Sequence, residues 1–300
     1  MKKRLRSHLL SSIPNKELEK IYNSYDIIGD IAIIRLTENS KKYRKIIADG
    51  IMETHKNVKT VLAQTSPVCG DFRLRKLDFI AGEEKTETIH KEFGCILSVD
   101  VRKCYFSPRL LQERVRIADH VRKGEIVLNM FAGVGSFSVI IAKRSQARKI
   151  YSIDINPAAF RFMQKNAMAN KVDGKIVPLL GDARKIIEER LNNTVDRVLM
   201  ALPQKALEYL PYALLALKRK GGWIHCYLFE HAKKDEDPIQ NAKREVKKNL
   251  EDQGVAFKFD FARVVRTTGP RWYQIVLDIK ILSKDRTEKG ISVQCGDSRH

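Results

Sequence analysis

The chain has 300 residues, and its 56 Lys and Arg outnumber its 36 Asp and Glu, which gives a formal net charge of +20. This excess favours a polyanionic partner such as nucleic acid, because each neutralised phosphate releases counterions. The hydrophobic fraction of 43% suffices for a sizeable core. No apolar run approaches the roughly 20 residues that span a bilayer, and the basic start is too short in apolar residues for a secretory signal. The composition therefore predicts a cytoplasmic protein.

The cysteines carry little structural information. There are five of them, at positions 69, 95, 104, 226 and 295, and none forms a CxxC pair. An odd number with this spacing argues against a disulfide framework and against a zinc site. We therefore expect free thiols and no bound metal.

The first hundred residues predict a small α+β domain after a basic lead-in. Residues 1–24 are the lead-in, with helical potential at residues 15–22. Within residues 25–100 the hydrophobic patterns predict a strand at 31–36, a helix at 41–55 and a strand at 58–62. Two apolar runs, 73–80 and 94–99, flank the polar stretch 82–92 and are interpreted as a paired β-ribbon.

From residue 101 to residue 284 the pattern alternates between strands and helices. Short apolar strands separated by helices predict an α/β, Rossmann-like, doubly wound and mostly parallel sheet. Runs at 257–265 and 272–281 predict an antiparallel hairpin at the edge of the sheet, and residues 285–300 form a polar tail. The remaining strands are predicted at 125–129, 149–154, 175–180, 197–200 and 222–228, and helices at 157–170 and 205–217.

Polar residues follow the first three strands of this sheet. Gly133 and Gly135 follow the first strand, which ends at Asn129, and glycine is needed where backbone turns sharply beside a ligand. The loop lacks the third glycine of a dinucleotide site and the GK[ST] ending of a phosphate loop. Asp154, 21 residues after Gly133, could accept both hydroxyls of a ribose, and Asp182 could reach an adenine amino group. Asn129, Asp154 or Asp182 taken alone is more often a helix cap. The three together, at successive strand ends, resemble the pattern of class I S-adenosylmethionine methyltransferases.

Longer motifs extend this similarity to one family. Residues 105–114, 129–138, 152–160, 179–183 and 200–210 resemble the archaeal and eukaryotic tRNA (guanine-37-N1)-methyltransferases. Residues 70–75, 82–90 and 266–272 match the same family. The resemblance covers about residues 25–282 and includes the sister enzymes of the wybutosine pathway. It implies N1-methylation of guanosine 37, beside the anticodon of tRNA, by an enzyme that uses S-adenosylmethionine. The sequence shows no obvious coiled coil or exposed apolar helix, which favours a monomer.

The resemblance implies a role for each matching residue. Glu113 would be the general base that takes the proton from guanine N1, and Arg73 would hydrogen-bond O6 and stabilise the charge that develops on the ring. Tyr105 and Pro203 would flank the reactive end of the cofactor. The other residues of the cofactor pocket would be Arg114, Phe131, Asp154, Ile155, Asp182 and Ala183, together with Asn129, Gly133 and Gly135.

These roles are chemically consistent, although the residues also permit a plainer interpretation. Guanine N1 is protonated at neutral pH, so a carboxylate that removes its proton allows in-line displacement on the methyl group. A cation at O6 favours the deprotonated ring. Without the resemblance, the commoner interpretation of Glu113 is a surface residue that forms a solvated ion pair with Arg114 or Arg116.

The chain departs from the family pattern in three places. Asn129 stands where family members commonly have Asp, and Ala201 stands where they commonly have Asn before Leu-Pro. Many members also have a separate N-terminal domain, whereas about 25 residues precede the small domain here. The sequence therefore predicts that residues 25–100 and the basic surface contact the RNA and its target base.

Three alternatives remain open, two of them from the sister enzymes and one from these departures. In the first, the enzyme methylates C7 of a tricyclic wyosine precursor, 4-demethylwyosine, either as its sole activity or as a second one. Alternatively, the chain transfers the aminocarboxypropyl group of the same cofactor. Finally, the substitutions at Asn129 and Ala201 motivate an inactive tRNA-binding protein. The retained Glu113 and Leu-Pro favour the methyltransferase.

Overall fold

The computed structural model describes residues 9, 12–19 and 25–283. The chain forms two compact units, Met1–Arg190 and Leu191–His300. The predicted polar tail at 285–300 and parts of the predicted lead-in at 1–24 lie outside the described residues. Among the described helices, none combines the length and the apolar character needed to cross a membrane.

A four-stranded sheet opens the first unit, with the strand order β1-β2-β3-β4. Strand β2 is buried along Ile31–Ile34 because it lies inside the sheet, between an antiparallel neighbour and a parallel one. The predicted helix at 41–55 begins as a 3-10 turn and becomes α-helical at Arg44. The elements are α1 (Asn15–Leu18), β1 (Asp26–Ile28), β2 (Ile31–Arg35), α2 (Arg44–Thr54), β3 (Thr60–Gln64) and β4 (Leu77–Gly82).

The basic lead-in contributes to the core of this small sheet. Leu9, Ile13 and Leu18 are each at most 2% exposed and pack in one cluster with the apolar faces of α2 and β3. Burying such side chains contributes about 1.5–3 kcal/mol each. The described part of the lead-in is therefore integral to the small α+β region.

The prediction that residues 94–99 pair with residues 73–80 in a β-ribbon was wrong. Strand β4 pairs with β3, whereas the polar stretch 82–92 itself contains strand β5 (Glu87–Glu92), which pairs with β6 (Cys95–Asp100). The two-residue loop Phe93-Gly94 has positive φ at both positions, 46° and 74°, as a tight hairpin requires. The polar side chains of β5 find partners: Thr88 donates to Asp30 at 2.6 Å. A strand whose buried residues are polar does not show the alternation of apolar and polar residues that identifies strands in a sequence.

The first unit continues with three parallel strands of the main sheet. Strand β8 pairs in parallel with β7 on one side and with β9 on the other. Short strands and intervening helices agree with the predicted pattern to within a few residues. The elements are α3 (Leu111–His120), which follows a 3-10 turn at Pro108–Leu110, β7 (Ile126–Asn129), α4 (Ser136–Arg144), β8 (Lys149–Asp154), α5 (Pro157–Ala169), β9 (Ile176–Leu180) and α6 (Ala183–Ile186).

Asn166 of α5 and Asn170, at the C-cap of the same helix, complete the hydrogen bonding of β6. Asn166 Oδ1 accepts from Ser98 N at 2.7 Å, and its Nδ2 donates to Ser98 O at 3.0 Å. Asn170 makes the same pair of bonds with Ile96, at 2.8 and 2.6 Å. Since i and i+4 lie on one face of a helix, α5 satisfies alternate residues of the strand. Asn166 Nδ2 also donates to Val134 O at 2.9 Å and so ties β6 to the loop after β7.

The second unit contains four strands, in the order β12-β13-β11-β10. Strand β10 pairs in parallel with β11, and the hairpin β12–β13 joins β11 in antiparallel pairing. The predicted α/β class, a mostly parallel sheet after a small α+β region, is therefore confirmed, and so is the closing hairpin. The elements are β10 (Arg197–Met200), α7 (Ala206–Ala216), β11 (Gly222–His231), α8 (Pro238–Asp252), β12 (Ala256–Gly269) and β13 (Trp272–Ser283).

Candidate cofactor and catalytic site

The loop after β7 is held by backbone contacts with the end of β8. Gly133 (φ 56°) and Gly135 (φ 82°) adopt left-handed conformations that favour glycine. Ala132 N donates to Ile153 O at 2.8 Å, and Gly133 N donates to Asp154 Oδ2 at 2.6 Å. The loop then leads directly into α4, so its backbone lies beside a helix N-terminus at the carboxyl end of the strands.

Asp154 lies at the centre of this edge. Its two carboxylate oxygens accept backbone N–H groups from Gly133 and from Asn156, the latter at 2.9 Å. Burial raises the pKa of Asp154, although both backbone hydrogen bonds act to lower it. Each carboxylate oxygen has more than one lone pair, so the group keeps capacity to accept further hydrogen bonds, as a ribose contact requires.

Asn129 is turned into the protein. It is fully buried, and its Nδ2 donates to Ser138 Oγ at 3.2 Å, while Ser152 Oγ lies 2.7 Å from the same hydroxyl. No hydrogen bond reaches Asn129 Oδ1 from the described residues. The buried amide oxygen thus keeps an unused acceptor, which a donor on a bound ligand would satisfy.

The loop after β9 completes the edge. Gly181 N donates to Asp154 O at 3.0 Å, which joins the loops after β8 and β9. Asp182 caps α6 by accepting from Arg184 N at 2.9 Å, and its Oδ2 lies 2.7 Å from Arg184 Nη2. Helix capping, the plainer interpretation, is thus one role of Asp182. Of the predicted neighbours, Ala183 is buried, Phe131 is half-buried and Ile155 is 44% exposed.

Arg73 and Tyr105 are brought together although 32 positions separate them in sequence. The Arg73 guanidinium lies over the Tyr105 ring, 4.8 Å from its centroid. Arg73 has a φ of 54° and closes a tight turn in which its N donates to Gly70 O at 3.0 Å. A Cβ atom at Gly133 would lie 3.6 Å from Tyr105 O. Tyr105 therefore contacts a predicted catalytic residue and approaches the glycine loop.

Asn156, which no sequence motif assigned to the site, supports the same segment. Its side chain caps α5 by accepting from Ala158 N at 2.9 Å, and it also donates to Lys103 O at 2.8 Å. Asn156 is 4% exposed. It therefore links the end of β8 to the loop that carries Tyr105. The helix-start pattern Asn-Pro in the sequence predicts the cap but not the second contact.

Glu113 is buried on α3 and does not form a solvated surface pair. Its side chain is 1% exposed, and Arg116 Nη2 lies 3.0 Å from its Oε2, with Arg116 itself 14% exposed. Arg114 is not its partner. A carboxylate shielded from water in this way has the environment expected of a proton acceptor, but such an ion pair also occurs for structural reasons.

Arg114 forms a buried ion pair with Glu92 of β5, a residue that the sequence analysis did not single out. Arg114 Nη2 donates to Glu92 Oε2 at 2.6 Å, and both side chains are at most 2% exposed. Arg114 also donates to Ser107 O at 3.2 Å. Burial acts to raise the pKa of Glu92, but hydrogen bonds from His90 and Arg114 hold it below its ordinary value. The pair joins the β5–β6 hairpin to α3.

Pro203 belongs to the second unit. It is buried and begins a 3-10 turn, Pro203–Lys205, directly after β10. Ala201 and Leu202 before it are half-buried. The predicted motif therefore lies between the end of a parallel strand and the start of a helix, as expected from the sequence.

Gly135→Ala should impair cofactor binding more than Gly124→Ala does. Both glycines have φ near 80°, but a Cβ at Gly135 would lie 2.9 Å from Met163 Cγ, whereas one at Gly124 would meet nothing within 4 Å. The left-handed conformation costs either variant about 1–2 kcal/mol, and overpacking adds about 1–3 kcal/mol at Gly135 alone. Urea unfolding and S-adenosylmethionine titration would test this, and equal losses in both variants would contradict the packing argument.

Comparison with known proteins extends these observations. Residues 88–265 match the TRM5/TYW2 methyltransferase domain, and residues 5–86 match the TYW2 N-terminal domain. The tRNA (guanine(37)-N(1))-methyltransferase Trm5b of Pyrococcus abyssi is 40% identical over 270 residues, covering 90% of this chain and 78% of that protein.

One further relative and one solved structure are also similar to this chain. The tRNA 4-demethylwyosine(37)-methyltransferase Taw21 of Saccharolobus solfataricus is 35% identical, covering 88% of this chain and 96% of that protein. The solved complex of aTrm5 and tRNALeu superposes with a TM-score of 0.80 at 36% identity, covering 94% of this chain and 79% of that one.

Proposed function

The chain belongs to the TRM5/TYW2 methyltransferase family, and we propose that it methylates N1 of guanosine 37 in tRNA. The observation that carries this proposal is the agreement between family likeness and site geometry. Arg73 lies against Tyr105, and Tyr105 approaches the glycine loop at Gly133. Tyr105 therefore lies against a residue suited to the base through its ring, and near the backbone suited to the cofactor through its carbonyl oxygen.

The residues present fit S-adenosylmethionine, which supplies an electrophilic methyl group when bound. Asp154 keeps acceptor capacity for ribose hydroxyls, and the buried Asn129 Oδ1 has no hydrogen-bond donor among the described residues. The positive φ of Gly133 and Gly135 gives the sharp turn that lets the loop backbone approach a ligand at the carboxyl end of the strands. We assign these residues to the cofactor pocket together with Tyr105, Phe131, Ile155, Asp182 and Ala183, and assign Arg114 an indirect part through Glu92.

Glu113 and Arg73 would act on the base. Glu113 would remove the N1 proton, so that the N1 lone pair can attack the methyl group in line with the departing sulfur. Arg73 would donate to O6 and stabilise the negative charge that the lost proton leaves on the ring. Arg116, 3.0 Å from Glu113 Oε2, would supply the counter-charge to this carboxylate.

The proposed partner is tRNA, bound in its anticodon region by a monomeric, cytoplasmic enzyme. The net charge of +20 favours this polyanion. We propose the domain limits 25–100 for contacts with the RNA and target base and 101–284 for the methyltransferase domain.

A second candidate function is C7-methylation of 4-demethylwyosine at the same position. The match of residues 5–86 to the TYW2 N-terminal domain favours it specifically, as does the likeness to Taw21. The two reactions use the same cofactor but different acceptor atoms, and C7 carries no acidic N–H proton.

Incubation with labelled S-adenosylmethionine and unmodified tRNA transcripts carrying G or A at position 37 tests the proposal. We expect N1-methylguanosine, identified by nucleoside mass analysis, from the G transcript alone. A product formed only from tRNA containing 4-demethylwyosine would replace the first candidate by the second. Binding of tRNA without any product from either acceptor would instead indicate an inactive binding protein.

A further inference from the structure

Several arginines lie close together in the first unit beside Tyr105. Arg35, Arg75 and Arg109 are near enough for their charges to interact, and Asp26 partly offsets them. Burial lowers the pKa of Arg75, Asp26 and Tyr105 act to raise it, and the other two arginines lower it further. The cluster therefore has an excess of positive charge.

Two of these guanidinium groups converge on one neutral oxygen. Arg75 Nη1 donates to Gln64 Oε1 at 3.1 Å, and Arg35 Nε donates to the same atom at 3.4 Å. Gln64 is fixed in turn, because its Nε2 donates to Ser66 O at 2.8 Å. In the described part of the chain, neither Arg35 nor Arg75 forms an ion pair with a carboxylate.

This arrangement favours the binding of an anion. Like charges held side by side repel each other, and partial burial of Arg75 strengthens the repulsion. The nearby carboxylate of Asp26 is engaged by Arg109, whose Nε lies 2.7 Å from its Oδ1. A hydrogen bond from Arg35 alone would be enough to link β2 to Gln64 of β3. The second cation, Arg75, is not needed for that link. An anion placed between the arginines would remove the repulsion.

The cluster adjoins the residues assigned to the target base. Arg75 lines a small cavity together with Arg73, Tyr105 and Ile28. Arg73 in turn lies over the Tyr105 ring. An anion bound by Arg75 and Arg35 would therefore lie next to a base that contacts Arg73.

We propose that Arg35 and Arg75, with Arg109 beside them, bind a backbone phosphate of the RNA next to the methylated nucleotide. Guanidinium groups present parallel N–H donors that match phosphate oxygens, and each uses only one donor on Gln64. Such a contact positions the strand without reading its sequence. This inference rests on the proposed function for the identity of the polyanion.

The test uses the full chain and tRNAs with one uncharged methylphosphonate in place of the phosphate 5′ or 3′ of position 37. For the wild type, we expect one of the two replacements to weaken binding by about 10- to 100-fold, the range of a charged hydrogen bond. In Arg35→Gln and Arg75→Gln, ordinary tRNA should already bind that much more weakly, and the same replacement should add almost nothing.

Salt dependence and a matched control sharpen the result. Each variant should lower the slope of log affinity against log salt by about 1. Lys41→Gln, in the same unit but exposed and paired with Glu38, should leave tRNA affinity within about twofold. Arg35 is exposed, so its variant keeps the test valid even if Arg75→Gln folds poorly. S-adenosylmethionine affinity should stay unchanged throughout.

Two outcomes would overturn the inference. In one, both arginine variants bind tRNA with wild-type affinity and slope. In the other, the methylphosphonate replacements weaken the variants as much as the wild type. Because binding is measured and not turnover, absence of N1-methylguanosine with the wild type would refute the proposed reaction and leave this binding result intact.

Discussion

Glu113→Gln should lower the single-turnover rate of methylation by about 10²- to 10⁴-fold, the usual contribution of a positioned general base. Glutamine keeps the shape of the buried side chain and can still accept a hydrogen bond from Arg116, which lies 3.0 Å from Glu113 Oε2. It cannot take a proton from guanine N1. The rate is measured with saturating tRNA and S-adenosylmethionine, so that weak binding does not contribute.

Alkaline pH separates a base from a structural residue. As pH rises, solvent removes the N1 proton from a growing fraction of the guanine, so the deficit of Glu113→Gln should narrow. The affinities for tRNA and cofactor should stay close to those of the wild type. A normal rate would remove Glu113 as the base, and a deficit independent of pH with lost affinity would assign it a structural role.

Arg114→Met should lower the free energy of unfolding by about 3–5 kcal/mol, the cost of removing one partner of a buried ion pair. The side chains of Glu92 and Arg114 are at most 2% exposed. The variant therefore leaves a carboxylate buried without its cation. Urea unfolding measures the loss. The double variant Glu92→Gln with Arg114→Met should recover much of it, because the uncompensated charge is gone.

The same variants decide how Arg114 affects the cofactor. If the guanidinium contacts S-adenosylmethionine directly, the double variant binds cofactor as weakly as the single one. If Arg114 acts through Glu92 and the β5–β6 hairpin, as we propose, recovered stability brings recovered affinity.

The ion pair also predicts a pH dependence. The pKa of Glu92 is lower in the folded state than its ordinary value, so the folded protein prefers the ionised form. Its contribution to stability is therefore present above the unfolded-state pKa and is lost as pH falls through the folded-state pKa. In Arg114→Met, the free energy of unfolding should therefore fall less steeply as pH is lowered than in the wild type. The same acid dependence in both proteins would contradict this prediction.

The sequence predicted the parts of the fold that depend on apolar periodicity. The alternation of apolar strands and helices from residue 101 identified the main sheet and the closing hairpin, because burial in a sheet with helices produces that pattern directly. Strand β5 was missed because its inward-facing residues, Thr88 and Glu92, are polar. Their partners, Asp30 and Arg114, are distant in the chain, and no local pattern reveals such a pair.

The same limit applies to the site. Strand-end positions placed Gly133, Asp154 and Asp182 on adjacent loops, since parallel strands end at one edge. Sequence spacing did not show that Asn129 is turned into the interior, nor that Glu113 is buried. Both depend on what packs against them, namely Ser138 for the amide and Arg116 for the carboxylate.

The asparagine contacts between α5 and β6 affect how this protein meets other chains. A strand edge with open N–H and C=O groups recruits foreign strands and promotes aggregation. Here the groups of Ile96 and Ser98 on that edge are already occupied by Asn170 and Asn166. Side chains from a helix thus take the place of a neighbouring strand along this edge of the hairpin. These backbone groups are therefore not open to pairing with a strand of another chain.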